Sequence, residues 1–143
     1  MRYWITPDGN YYEGEHVAIG SIEVTQRPSD LYDWNGMGWA INQQRYTIKI
    51  TLDLETAVDT HIESVAASKG YGKSFSPQNA TEACMKYASF VNKYQTEAIA
   101  FGNWIVAVWD VVYQVQADVL ANLRPVPTAE QLISELPTMV WPV

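Results

Sequence analysis

Hydrophobic and polar positions follow two rhythms along this chain, short β-prone runs broken by turn dipeptides up to about residue 52 and helical spacing beyond it. Tyr3-Trp4-Ile5 and Tyr11-Tyr12 flank Pro7-Asp8-Gly9-Asn10 and predict a hairpin. Ser21 to Thr25 predicts a further short strand. Leu31 to Trp34 and Trp39 to Ile41 flank Asn35-Gly36, with Gly38 as a second flexible point, and predict a second hairpin with Trp34 facing Trp39 across its turn. Tyr46, Ile48, Ile50 and Leu52 alternate with Thr47, Lys49 and Thr51, and that period of two predicts a strand over residues 46–52.

From Asp53 the period turns helical. Leu54, Val58, Ile62 and Val65 predict one helix, capped by Asp53 and ending near Gly70. Asn79 followed by Glu82 resembles a capping box and predicts a second helix running through Met85, Ala88 and Val91. Phe101, Trp104, Ile105, Val108, Val112, Val115 and Val119 trace the buried stripe of a long third helix, while Trp109, Tyr113, Leu120 and Leu123 widen it to a second face. Trp104 and Trp109 are five residues apart, about 140° around a helix, so at least one of them leaves the main stripe. Arg124-Pro-Val-Pro127 stops this helix. Thr128-Ala-Glu-Gln131 has the capping-box pattern, and Leu132, Ile133 and Leu136 predict a short amphipathic helix ending at Pro137.

The expected fold is α+β, with N-terminal antiparallel hairpins followed by a helical module built around one long amphipathic helix. The boundary between a β-rich part, residues 1–52, and a helical part, residues 53–143, is a change of secondary structure more than a linker. The chain has 143 residues, 48% of them hydrophobic and 17% charged, enough to bury a sizeable core and unlike a disordered segment.

A net charge of -7 argues against nucleic acid or an anionic membrane as the main partner. The N-terminal residues have no secretory h-region, no uninterrupted apolar run reaches membrane-spanning length, and the expectation is a cytosolic chain without membrane insertion. One cysteine, Cys84, cannot form an internal disulfide and is expected as a small core hydrophobe. Six tryptophans and nine tyrosines are many for this length and point to a binding or assembly role.

Chemistry-bearing residues are sparse. His16, His61 and Cys84 show no metal-ligand spacing, and no nucleophile elbow accompanies the thiol, so neither a cofactor nor a metal is expected. His61 lies beside the apolar stripe of its helix and reads as a boundary histidine. Gly70-Tyr-Gly-Lys73-Ser74 lacks the frame of a phosphate loop and reads as a helix cap and turn. Asp30, Asp33, Asp53, Glu55 and Asp59 suit turn and helix-start positions, and nothing selects a catalytic pair among them.

The stretch Glu97-Ala-Ile-Ala-Phe101-Gly-Asn-Trp104 with Trp109, followed by Arg124-Pro-Val-Pro-Thr128 and Glu135-Leu-Pro137 to Trp141-Pro142, resembles the C-terminal helical module of tailed-bacteriophage proteins encoded beside tail-fibre genes. The likeness extends over residues 54–142 and includes Lys69-Gly-Tyr71. It departs after Trp104, where the family more often has Arg and Asp and this chain has Ile105 and Val106. The N-terminal segments Asp8 to Gly14, Ile22 to Ser29 and Trp34-Asn-Gly36 are similar to short β segments of phage tail-fibre and tail-fibre-assembly proteins.

The resemblance implies a non-enzymatic protein of the virion tail, or of the host cytoplasm during phage assembly, whose partner is a tail-fibre or baseplate protein. It leaves a homo-oligomer open. Trp104, Trp109, Tyr113 and Trp141 are the candidate partner-binding residues. The alternative is a carbohydrate-binding module in which Tyr12, Tyr32, Trp34 and Trp39 form a platform for host-surface glycan. Against it stands a structural reading in which Trp34 and Trp39 are only a cross-strand pair clasping the turn. An enzyme would need a cleft of convergent polar groups for which the sequence offers no motif.

Overall fold

In the computed structural model every residue is described except His16 and residues 73–78. The fold is α+β. Five three-residue strands, β1 (Tyr3–Ile5), β2 (Tyr11–Glu13), β3 (Ile22–Val24), β4 (Tyr32–Trp34) and β5 (Trp39–Ile41), precede helices α1 (Gln43–Lys69), α2 (Ala80–Met85), α3 (Gln95–Leu120) and α4 (Ala129–Glu135). The chain divides into two compact units, Met1–Thr51 and Leu52–Val143, with the division falling inside α1.

In the N-terminal unit β1 is the central strand of an antiparallel sheet, ordered β2-β1-β3, and β4 and β5 form a separate hairpin. Thr6-Pro-Asp-Gly-Asn10 closes the first turn, the Thr6 hydroxyl donating to Asp8 and Gly9 taking φ 86°. In the second hairpin Trp34 pairs with Trp39. Its loop spans four residues. Only Gly36 takes positive φ, at 95°, whereas Asn35 holds the turn with its side chain, Oδ1 accepting the backbone N–H groups of Met37 and Gly38 at 2.9 Å each.

The strand expected over residues 46–52 is instead the first part of α1, which begins ten residues ahead of the expected Asp53. The cause lies in the preceding turn. Asn42 Oδ1 accepts the backbone N–H of Arg45 at 3.0 Å, an N-cap bond, and the Asp33 carboxylate accepts from both the Asn42 amide and the Arg45 guanidinium. The alternation that imitates a strand is not a buried face, since Ile48 and Leu52 are more than half exposed. Tyr46, Ile50, Leu54 and Val58, spaced by four, lie on one side of the helix and are half-buried or buried.

The C-terminal unit holds the hydrophobic core. Val58, Ile62 and Ala66 of α1 pack with Ala98, Phe101, Trp104, Val108, Val112 and Val115 of α3, and with Leu132 and Leu136 from α4 and its C-cap. α2 is shorter than expected, and Val91 is exposed. The Asn79 capping box does not form: Asn79 sits in the left-handed region at φ 68°, with no side-chain cap bond. The first amides of α2 are satisfied from α1, where the Glu63 carboxylate accepts from the N–H groups of Ala80 at 2.9 Å and Thr81 at 3.1 Å. A Cβ on Gly102 would stand 3.0 Å from Met85 Cε, the far end of a flexible side chain that α2 lays against α3.

The long helix stops before its prolines. Asn122 takes φ 57°, and the Leu123 N–H returns to the Asp118 carbonyl at 2.8 Å, closing the end three residues ahead of Pro125. The expected box at α4 forms in both directions, with Gln131 N–H on Thr128 Oγ1 at 3.2 Å and Thr128 N–H on Gln131 Oε1 at 2.9 Å. Among the described residues α3 alone is long and apolar enough to cross a membrane by length and composition, a test that the core helix of a soluble protein also passes.

Candidate interaction surfaces

The eight aromatic residues singled out in the sequence fall into three settings. Trp104 and Trp141 belong to the core of the C-terminal unit. The Trp104 indole N–H donates to the Pro137 carbonyl at 2.7 Å, fixing the chain just after α4 onto α3. Phe101 lies between the two indoles, with ring centroids 5.6 Å from Trp104 and 5.5 Å from Trp141. Trp141 also stacks on Tyr71 at 6.2 Å, and the Lys69 ammonium stands 5.4 Å from its ring. Their large surfaces go mainly into holding the C-terminal segment, Trp104 being 7% exposed and Trp141 half-buried.

Trp109 and Tyr113 lie outside this stack. Their rings contact each other at 5.7 Å along α3, Trp109 half-buried and Tyr113 58% exposed. One of the two helix tryptophans leaves the buried stripe, as the angle between them requires.

In the N-terminal unit Trp34 and Trp39 meet edge to face, with centroids 5.4 Å apart and planes at 75°. Trp39 also meets Tyr11 edge to face at 5.5 Å, and its indole N–H donates to the Thr25 carbonyl and hydroxyl at 3.1 Å each. Tyr11 in turn stacks on Tyr3 at 6.3 Å. These rings form a packed chain that fastens the hairpin to the three-stranded sheet. A sugar platform needs coplanar, outward-facing rings, and this arrangement counts against one. Tyr12 neighbours Tyr11 on β2, so its side chain points to the opposite face of the sheet from the Trp39 contact. Tyr32 is half-buried, and its carbonyl accepts from Arg27 Nε at 2.8 Å.

A cleft of about 740 Å³ in the C-terminal unit is lined by Tyr71, Tyr87 and Tyr94 together with Lys69, Lys86 and Glu97. Tyr71 donates its hydroxyl to the Glu97 carboxylate, which also pairs with Lys69 at 3.6 Å. Burial, reinforced by that carboxylate, pushes the Tyr71 phenol up from its ordinary value. Burial likewise pushes the thiol of fully buried Cys84 up, which keeps it a neutral core group.

His61 sits half-buried on α1 with its ring 6.0 Å from Trp104, at the boundary its spacing suggested. His16, and the Lys73 and Ser74 of the phosphate-loop look-alike, lie outside the described residues. No group of three or more His, Cys, Asp or Glu converges among the described residues.

Four residues of α3 missed as a set are Ile99, Val106, Tyr113 and Leu120, exposed by 46%, 62%, 58% and 74%. They recur every seven residues. That interval was visible in the sequence but was masked by the stronger buried stripe on the same helix. No protein-family model, curated protein or solved structure matches this chain.

Proposed function

We propose that this is a non-enzymatic protein associated with a bacteriophage tail fibre. It binds a fibre or baseplate polypeptide either as a lasting part of the virion tail or as an assembly factor in the host cytoplasm. The reading rests on the resemblance of residues 54–142 to a module encoded beside tail-fibre genes. One observation supports treating the separate stretches of that resemblance as one unit: Phe101 from the first stretch stacks on Trp141 from the second, and the Trp104 indole bonds to Pro137. The motif residues make a single stacked block that holds the C-terminal tail on α3. That block suits a scaffold presenting the remaining surface to a partner.

Of the four, Tyr113 is the one such a partner reaches most fully, because Trp104 is buried and Trp109 and Trp141 are both half-buried against the core. Truncating a contact aromatic in a protein interface typically costs about 2 kcal/mol or more of binding.

The test is co-expression of the neighbouring fibre gene with and without this chain, together with mass spectrometry of purified virions. Stoichiometric retention in virions supports a structural component. Fibre that becomes soluble only with this protein, which is then absent from virions, supports an assembly factor. Fibre that folds and assembles normally without it, in virions that lack it, overturns both forms of the proposal.

A further inference from the structure

We infer that the exposed face of α3 is a helix-docking seam whose occupant is a basic amphipathic helix of another polypeptide. The inference deepens the proposed function and rests on that reading only for who supplies the helix. Ile99, Val106, Tyr113 and Leu120 point outward from a face opposite the buried Phe101, Val108, Val112 and Val115 stripe. α3 is therefore apolar on two sides, one covered by its own unit and one open. Exposed apolar residues are ordinary when scattered, but these four keep a strict interval of seven over 21 residues, a length of about 31 Å.

That interval selects the occupant's shape. A straight α-helix drifts about 20° for every seven residues, so a seam repeating at seven stays in contact only with another helix that winds around it. Asn103, Asp110 and Ala117 occupy the second exposed row, also seven apart, and their small side chains leave room between the apolar knobs. A sheet or an extended peptide offers no matching periodicity.

Charge selects the occupant's chemistry. α3 carries Glu97, Asp110 and Asp118 and no Lys or Arg. Glu97 is held by Tyr71 and Lys69, and Asp118 accepts from Gln114 at 2.9 Å, whereas Asp110 is exposed near the middle of the seam. The midpoint between Ile99 and Leu120 falls beside Asp110. A second copy docked over the full seam, whether parallel in register or antiparallel, therefore sets one Asp110 carboxylate against the other. With a net charge of -7 on each copy, self-pairing is opposed both at this point and over the whole chain. The same acidity disfavours an anionic lipid surface. A partner helix placing Lys or Arg opposite Asp110 satisfies the carboxylate and fixes the register.

The test uses two fluorescein-labelled synthetic helices, each about 28 residues long with apolar residues at heptad spacing, one with Lys and the other with Glu at the position facing Asp110. They are titrated at nanomolar concentration against the full chain. The Lys peptide is expected to bind about tenfold or more tightly than the Glu peptide, Asp110→Lys to reverse the preference, and Val106→Asp to abolish both. Val106 and Asp110 are exposed, so the thermal melts of these variants by circular dichroism should match that of the parent chain.

Equal affinity for the two peptides, or no binding of either, overturns the inference. So does a parent chain that sediments as a dimer at micromolar concentration and is dissociated by Val106→Asp, which would make the occupant a second copy, or one that co-sediments with vesicles of phosphatidylcholine and phosphatidylglycerol. A fibre that assembles without the protein, beside a charge-selective peptide result, sinks the fibre reading alone.

Discussion

The two compact units solve the same problem with different materials. Among the described residues the C-terminal unit buries a cluster of thirteen hydrophobic side chains, while the N-terminal unit buries one, Ile5. Three-residue strands cannot enclose a core, so the N-terminal unit relies on rings and charges at short range. Tyr3, Tyr11, Trp39 and Trp34 contact in series, Arg27 reaches the Tyr32 and Asp30 carbonyls at 2.8 and 3.0 Å, and Arg2 pairs with Glu23 through two bonds of 2.9 and 2.7 Å. In the C-terminal unit long helices bring apolar stripes together and the polar groups act mainly at their ends. Aromatic abundance thus has two meanings in one chain, edge contacts between thin strands in the first unit and filled volume between helices in the second.

The largest effect should come from emptying that volume. Phe101→Ala removes the ring between Trp104 and Trp141 and is expected to cost about 3–5 kcal/mol, read by urea denaturation. A loss below about 1 kcal/mol would mean that the stack is not a core. Trp104→Phe keeps most of the volume but orphans the Pro137 carbonyl; the expected cost is about 1–3 kcal/mol, accompanied by faster proteolysis of the C-terminal tail.

For the other unit, a double-mutant cycle of Trp34→Ala and Trp39→Ala should return a coupling of about 0.5–1.5 kcal/mol. The same variants should leave binding on a glycan array unchanged. Additive losses would break the clasp, and glycan binding abolished by both substitutions would revive the platform.

The smallest effect concerns how α2 is started. Burial alone would push the Glu63 carboxyl up, but hydrogen bonds from the Thr81 side chain and from the backbone at the start of α2 outweigh it and hold the group below its ordinary 4.5. A carboxylate depressed in the folded state adds stability that is present above the ordinary value and fades as pH falls through the folded one. The difference in melting temperature between the parent chain and Glu63→Gln should therefore be steady at neutral pH and shrink below about pH 4.5. A difference independent of pH would show that Glu63 acts by shape alone.

Much of this architecture is legible in the sequence, and the parts that are not have identifiable physical causes. Both hairpins, the third strand, the buried stripe of the long helix and the Thr128 box were written in local chemistry. Residues 46–52 read as a strand because Tyr46, Ile48, Ile50 and Leu52 satisfy a period of two, while the bonds that favour helix come from Asn42 and from Asp33 of β4. The sequence places the start of α2 after Asn79, where it lies, but credits its cap to an Asn79–Glu82 box, whereas its amides are met by Glu63, seventeen residues earlier in the chain from Ala80. Of the candidate partner-binding residues, Trp104 is buried and Trp141 half-buried, each at stacking distance from Phe101, a residue far from Trp141 in the chain.

The sequence by itself determined the order of β before α, the positions of most turns and ends, and the 140° divergence that keeps Trp104 and Trp109 from sharing one stripe. These follow from interactions within a few residues or from the fixed pitch of a helix. Only the tertiary structure decided which apolar face of α3 is covered and which is left open, and how far each tryptophan is buried. Burial is a property of two surfaces, and the second surface is brought by residues far away along the chain.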